Sequence, residues 1–397
     1  MPIRTRRSSS TTTSSSTETG VHVGLDLDAI PIVDNHCHSL LREQPTNNDA
    51  FRVHLTESYF PEIARDHVQQ TLFYRYALVE MAALLGCEAT PDAVHAARRE
   101  RGVEWLTRSV VERGNFKTWL IDTGYGADST YSLEELRALA PCRIEEVLRL
   151  EPLIERLIGE AESMDDFLDA YGAALGDLRS RGIVGLKSVI AYRSGLHVAP
   201  TLRADAADGY RLTRATWLAE GRVRVESKPL LDYLIITAVD EAARQNVPIQ
   251  FHTGLGDPDL DLTLVDPAAL RFLFSERFRA APIVLLHTGY PYVRSLAYCA
   301  AMFPNVYADM GESMLFAAGE ATQIYRELMG LAPASKLLFS TDASLVPELY
   351  WIGARIGRRA LARVLDEHIA EGALDERTAL DWAERILWRN SEAVYGL

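Results

Sequence analysis

The sequence predicts a (β/α)8 barrel, on three observations. Eight short apolar runs each end in a polar cluster and are each followed by a stretch of helical pattern, the order expected of successive βα units. The 397-residue chain is 48% hydrophobic and 24% charged, enough for one large barrel with insertions. The tripeptide His-Thr-Gly closes both the fifth and the sixth run, placing His252 and His287 35 residues apart, about one βα unit.

The runs fall at 30–38, 117–124, 144–151, 182–192, 247–254, 282–289, 305–311 and 336–343. Between His38 and Lys117 lie 78 residues of helical pattern where a few would suffice, so 42–115 is expected to be a helical insertion after strand 1. A smaller insertion, 193–228, follows strand 4. Both would sit at the C-terminal face of the barrel, where active sites lie. Residues 1–20 form a Ser/Thr-rich tract that cannot bury enough surface to offset ordering entropy, and a disordered tail is expected there. The folded domain is expected over 21–397.

Composition excludes other classes. The formal net charge of −14, from 55 acids against 41 bases, argues against nucleic acid and anionic membranes as partners. No apolar stretch of about 18 residues or more exists, and the basic N-terminus has no apolar segment behind it, so neither a membrane span nor a secretory signal is expected. Cys37, Cys87, Cys142 and Cys299 are widely separated and read as reduced thiols. A cytoplasmic homo-oligomer acting on a small molecule is the expectation.

Side chains alternate along a strand, which selects the inward set. In strand 5, Gln250 and His252 oppose Ile249 and Phe251; in strand 8, Ser340 and Asp342 oppose Leu337 and Phe339; in strand 4, Gly185 and Lys187 oppose Val184 and Leu186. In strand 6, Leu285 and His287 are expected inward and Val284 and Leu286 outward. His36 and His38 share a face of strand 1. Each residue alone has an ordinary structural explanation, such as a core histidine or a helix cap. Together they gather imidazoles, a carboxylate and a buried lysine at successive strand ends, a donor set that suits Zn²⁺, Mn²⁺, Fe²⁺ or Ni²⁺ better than Mg²⁺ or Ca²⁺, with Zn²⁺ or Mn²⁺ expected. Nearby, Arg193 could grip a carboxylate with its two-pronged guanidinium, Tyr192 adjoins it, and Glu151 and Glu312 could answer a substrate ammonium.

The order His36-x-His38, Lys187, His252, His287, Asp342 resembles the amidohydrolase superfamily of metal-dependent (β/α)8 hydrolases, from about residue 25 onward. More narrowly, VGLKSVIAYRSGL, PIQFHTGLGD, VLLHTGYPY and LLFSTDAS resemble the amidohydrolase-related branch typified by the FluG-type domain, which plants and fungi carry fused ahead of a glutamine synthetase. The chain stops at Leu397 with no ligase domain, so a role in glutamine synthesis is not expected. The resemblance implies one or two divalent metals held by His36, His38 and His252, with Asp342 on the open side. It implies Asp342 as the proton carrier, and His287 as a ligand of a second metal or a polariser of the scissile carbonyl. It also implies a Lys187 that is either carboxylated and bridging or a plain ammonium. The expected reaction is hydrolysis of a C–N bond, with a γ-glutamyl-type or other carboxylate-bearing amide as substrate. A decarboxylase or isomerase on the same barrel, and a non-catalytic scaffold with a vestigial site, are the alternatives.

Overall fold

The computed structural model describes residues 24–126 and 128–397, so the expected tail at 1–20 lies outside the described residues. Eight strands pair in parallel in the order of the chain: β1 (Ile32–Cys37), β2 (Phe116–Asp122), β3 (Arg143–Arg149), β4 (Ile183–Ser188), β5 (Ile249–Phe251), β6 (Ile283–Leu285), β7 (Val306–Asp309) and β8 (Leu337–Leu338). Backbone bonds close β8 onto β1: Asn35 N donates to Phe339 O at 3.1 Å, Asp342 N to His36 O at 3.1 Å, and His38 N to Ala343 O at 2.9 Å. Each strand falls on one of the eight apolar runs, because a parallel strand covered on both faces must be apolar nearly throughout.

Two apolar layers result. Ile32, Phe251, Ile283, Leu285 and Phe339 pack outward under the helices. Val33, Leu120, Val147, Val284, Leu286 and Leu338 fill the barrel with Val394 and Tyr395. The terminal helix Asn390–Tyr395 plugs the end opposite the site. There the Tyr395 hydroxyl donates to Asn35 Oδ1 at 3.1 Å and accepts from Gln250 Nε2 at 2.7 Å. Strand 6 corrects the expected alternation: Val284 and Leu286 face the interior and Leu285 faces out.

The segment between β1 and β2 carries the helices Leu72–Leu85 and Pro91–Arg113, each capped by a threonine. The Thr71 side chain accepts from Tyr74 N at 3.1 Å and Thr90 from Ala93 N at 3.4 Å, with Pro91 in the first turn. Arg98 ties this segment to the long helix Pro347–Ala370: its Nε lies 2.6 Å from Glu348 Oε1, both side chains being buried. The helix Arg203–Glu220 occupies the smaller insertion. All four cysteines are free, and no described helix is long and apolar enough to cross a membrane.

Candidate metal centre

The chain reverses direction just past the strand ends, and the polar side chains converge there on a cavity of about 680 Å³. His36, His38, Lys187, His252, His287, Glu312 and Asp342 all line it. Three of them stand on left-handed backbone, His287 at φ 65°, Glu312 at φ 45° and Asp342 at φ 55°. For non-glycine residues such strain persists only where the surroundings enforce it, and it concentrates at functional sites.

The enforcing contacts are specific. Asp309 Oδ1 accepts from His287 N at 3.1 Å and Gly311 N at 2.9 Å, and Asp309 Oδ2 accepts from Asn35 Nδ2 at 2.7 Å. Asp34 Oδ1 accepts from Thr341 N at 2.9 Å, and its Oδ2 from Thr341 Oγ1 at 2.5 Å, fixing the turn that presents Asp342. The two His-Thr-Gly tripeptides pack on each other: a Cβ on Gly254 would lie 2.3 Å from the Gly289 carbonyl carbon, so only glycine fits. Thr253 Oγ1 donates to Leu286 O at 2.6 Å, and Thr288 Oγ1 to Ser313 Oγ at 2.8 Å.

Hydrogen bonding fixes the imidazole tautomers. Gln250 Nε2 donates to Asn35 O at 2.6 Å, which leaves Oε1 to accept from His36 Nδ1 at 2.9 Å. His38 Nδ1 donates to Asp122 O at 3.2 Å, and His252 Nε2 to Leu255 O at 2.7 Å. Each remaining ring nitrogen is therefore a lone-pair acceptor. The lone pairs of His36 Nε2 and His38 Nε2 lie 3.1 Å and 3.2 Å from Asp342 Oδ1. Three acceptors facing one another are stable only around a positive charge. Lys187 Nζ, 3.1 Å from His36 Nε2, supplies one. Asp342 Oδ1 itself is buried without a hydrogen-bond donor.

Burial and then the Lys187 charge hold the His36 imidazole down at about 4, and the same two causes, in the same order, hold His252 well below its ordinary value. Burial also pushes His287 well down. All three are neutral at pH 7, the form that ligates a metal. Burial lowers Lys187 to about 8.

Among the described residues, two groups could hold a divalent ion, His36 with His38 and Asp342, and His252 with His287 and Glu312. The donor chemistry fits such an ion: imidazole nitrogens and carboxylate oxygens gather there, and Asp342 Oδ1, His287 Nδ1 and both Glu312 oxygens are buried without a hydrogen-bond partner.

The expected substrate residues divide. Tyr192 lines the cavity with its ring 4.6 Å from that of His252. Arg193 lines it too, with Nη2 3.2 Å from Glu155 Oε1, while its Nε and Nη1 are buried without partners. Glu151 does not reach the cavity, a correction. It lies in the first turn of the helix Leu150–Glu160, fully buried, where Oε1 accepts from Ser188 Oγ at 2.7 Å and Val189 N at 2.9 Å. That carboxylate braces the turn after β4.

Sequence reading passed over several cavity residues, Arg149 and Glu57 among them. Arg149, at the end of β3, is gripped by Asp122, with Nε at 2.9 Å and Nη2 at 2.6 Å from Oδ2. Its clue was an arginine beside the expected strand end. Glu57 comes from the first insertion, and burial, followed by the facing Asp342 and Asp257, pushes it up to about 8. No periodicity marked it, since it sits between short irregular turns at 53–67.

A barrel of eight parallel strands with histidines and an aspartate gathered at its C-terminal mouth defines a metal-dependent enzyme of the amidohydrolase type. Residues 162–397 match the model of the family described as Amidohydrolase, and the chain belongs to that family. It is 31% identical over 403 residues to Protein fluG of Emericella nidulans, covering 92% of this chain and 46% of that protein, so it spans about half the length of this curated relative. A crystal structure described as a metal-dependent hydrolase from Lactobacillus casei superposes with a TM-score of 0.84 at 30% identity, over 93% of this chain and 96% of that one. A uronate isomerase from Thermotoga maritima shares the fold, with a TM-score of 0.66 at 13% identity, over 93% of this chain and 95% of that one.

Proposed function

We propose that the protein hydrolyses the C–N bond of an amide whose acyl part carries a carboxylate, such as a γ-glutamyl amide, with one or two divalent ions, Zn²⁺ or Mn²⁺. The observation that carries this reading is the Asp342 carboxylate, whose Oδ1 stands 3.1 Å and 3.2 Å from the lone pairs of His36 and His38 and whose Oδ2 stands 3.8 Å from His287 Nδ1. A divalent ion held by these groups lowers the pKa of water and polarises a carbonyl. Asp342 takes the proton from the attacking water. Water oxygen bonds to the carbonyl carbon, the C–N bond breaks, and the Asp342 proton passes to the leaving nitrogen, giving a carboxylic acid and an amine. His287, 3.8 Å from Asp342 Oδ2, would hold a second ion or polarise the scissile carbonyl. Arg193 offers its unpartnered Nε and Nη1 to the substrate carboxylate, and Tyr192 packs the acyl chain against His252.

A screen of γ-glutamyl amines and simple amides with the metal-loaded protein tests the reading, scored by amine release. Activity should vanish on chelation and return with Zn²⁺ or Mn²⁺. Release of CO₂, or isomerisation of a sugar acid without amine release, would replace hydrolysis with another reaction of the barrel. A metal-free protein inert throughout would leave only the scaffold.

A further inference from the structure

We propose that Arg149 binds a second substrate carboxylate close to the scissile nitrogen, so that the leaving amine is itself an amino acid. The inference deepens the reading above and rests on it, with Arg193 taking the carboxylate of the acyl part. Arg149 ends β3 and lines the cavity. Asp122 holds one edge of its guanidinium, with Nε at 2.9 Å and Nη2 at 2.6 Å from Oδ2. The adjoining edge, Nη1 with the second N–H of Nη2, is left as a parallel pair of donors. Among the described residues no acceptor meets Nη1, and the side chain is 14% exposed, on the cavity it lines. A planar fork with one edge anchored and the other free is the geometry that takes a carboxylate by two bonds.

The surroundings hold that edge in place. A Cβ on Gly124 would lie 2.4 Å from Arg149 Cδ, so only glycine lets the side chain lie across the turn after β2. Gly124 N donates to Asp122 Oδ1 at 2.9 Å, which fixes the carboxylate that grips the arginine. Burial works against the Arg149 charge, and Asp122 more than offsets it, holding the guanidinium above its ordinary value. The corner adjoins the proposed reacting centre, because His38 Nδ1 donates to the Asp122 carbonyl oxygen at 3.2 Å. Lys187 is the register partner of Arg149 on β4, but its Nζ is turned to His36 Nε2 at 3.1 Å, which leaves this corner to the arginine. Arg193 stands past the turn Ile190–Tyr192, against Glu155. An amide with a single carboxylate would leave one of the two arginines unanswered. The carboxylate of an amino-acid leaving group sits beside the scissile nitrogen, and that of a γ-glutamyl acyl part sits farther out. This order matches one arginine at a strand end and the other beyond the next turn.

The metal-loaded full chain is assayed on γ-glutamylglycine and on γ-glutamylglycinamide, which differ only in the second carboxylate. Wild type should favour γ-glutamylglycine in kcat/KM by roughly ten- to a hundredfold, the worth of a charge-assisted contact. Arg149→Met should bring that ratio close to one, and Arg149→Lys, which lacks the fork, should restore little of it. Arg193→Ala should keep the ratio, since both compounds carry the acyl carboxylate. Arg149→Met strands the Asp122 charge, so Arg149→Met/Asp122→Asn is measured beside it. A wild-type ratio near one, or a wild-type ratio kept by either Arg149→Met protein, would overturn the proposal and make the arginine a brace for the turn. If neither compound is hydrolysed, the hydrolytic reading fails, and calorimetric titration decides the carboxylate site separately. γ-Glutamylglycine should then bind wild type at least tenfold more tightly than Arg149→Met/Asp122→Asn, and equal or undetectable binding would overturn the proposal.

Discussion

Gln250 fixes the tautomer of His36: its Oε1 stands 2.9 Å from His36 Nδ1 because its Nε2 is committed to Asn35 O and Tyr395 OH. The ring proposed to meet the ion is thereby oriented by a residue on the opposite wall of the barrel and by the C-terminal plug. Loss of such an outer partner costs about 10–100-fold in metal affinity. Gln250→Met should weaken binding by that factor in a chelator competition, with the fold retained by circular dichroism. Unchanged affinity would mean that the ring is held by packing alone.

Asp342 carries the proposed proton transfer. Asp342→Asn keeps a ligating oxygen but no base, and general-base catalysis contributes about 10²–10⁴-fold. The variant should retain metal while kcat falls by that range. Near-normal turnover would remove Asp342 from the proton path.

Arg193 is the expected carboxylate anchor. A charge-assisted contact is worth about 1.5–3 kcal/mol, or roughly ten- to a hundredfold in specificity. Arg193→Ala should lower kcat/KM on a carboxylate-bearing amide by that factor and spare its uncharged analogue. Equal losses on both substrates would mean that the guanidinium serves Glu155 and the loop instead.

The buried pair Arg98–Glu348 clamps the first insertion to the last barrel helix. Removing one partner of a buried pair costs about 3–5 kcal/mol, because the other charge is stranded. Glu348→Ala should destabilise by that amount in denaturant titration. The double variant Arg98→Met/Glu348→Leu should recover most of the loss, and failure to recover would show that the contacts of Arg98 with Pro45 O and Gln44 are the larger contribution.

His54, in the same insertion, gives a pH test. Burial, and then the charge of Arg98, lower it to about 4, below the roughly 6.5 of the unfolded chain. The unfolded state therefore binds the proton first. The stabilisation is complete above about pH 6.5 and is lost as pH falls toward 4, by at most about 3 kcal/mol. Melting temperatures of wild type and His54→Gln should converge as pH drops through that window. Parallel curves would exclude His54 as the titrating group.

The sequence by itself determined the number and order of strands, the helical segment between β1 and β2, and part of the set of residues that meets at the mouth. Apolar runs and helical periodicity are local consequences of burial, and they survive in one dimension. Alternation placed Gln250, His252 and Lys187 correctly because their strands stay extended through those positions. It failed at Val284, Leu285 and Leu286, whose faces are reversed, while His287 reaches the cavity as expected at a position where the chain turns with φ 65°. Tertiary structure decided the rest. The carboxylate of Asp309 bends two turns at once, Glu151 is consumed by Ser188 and Val189, and Arg149 is drawn in by Asp122. Glu57 reaches the cavity from an insertion whose path no local pattern encodes, because its position follows from packing against distant elements of the chain.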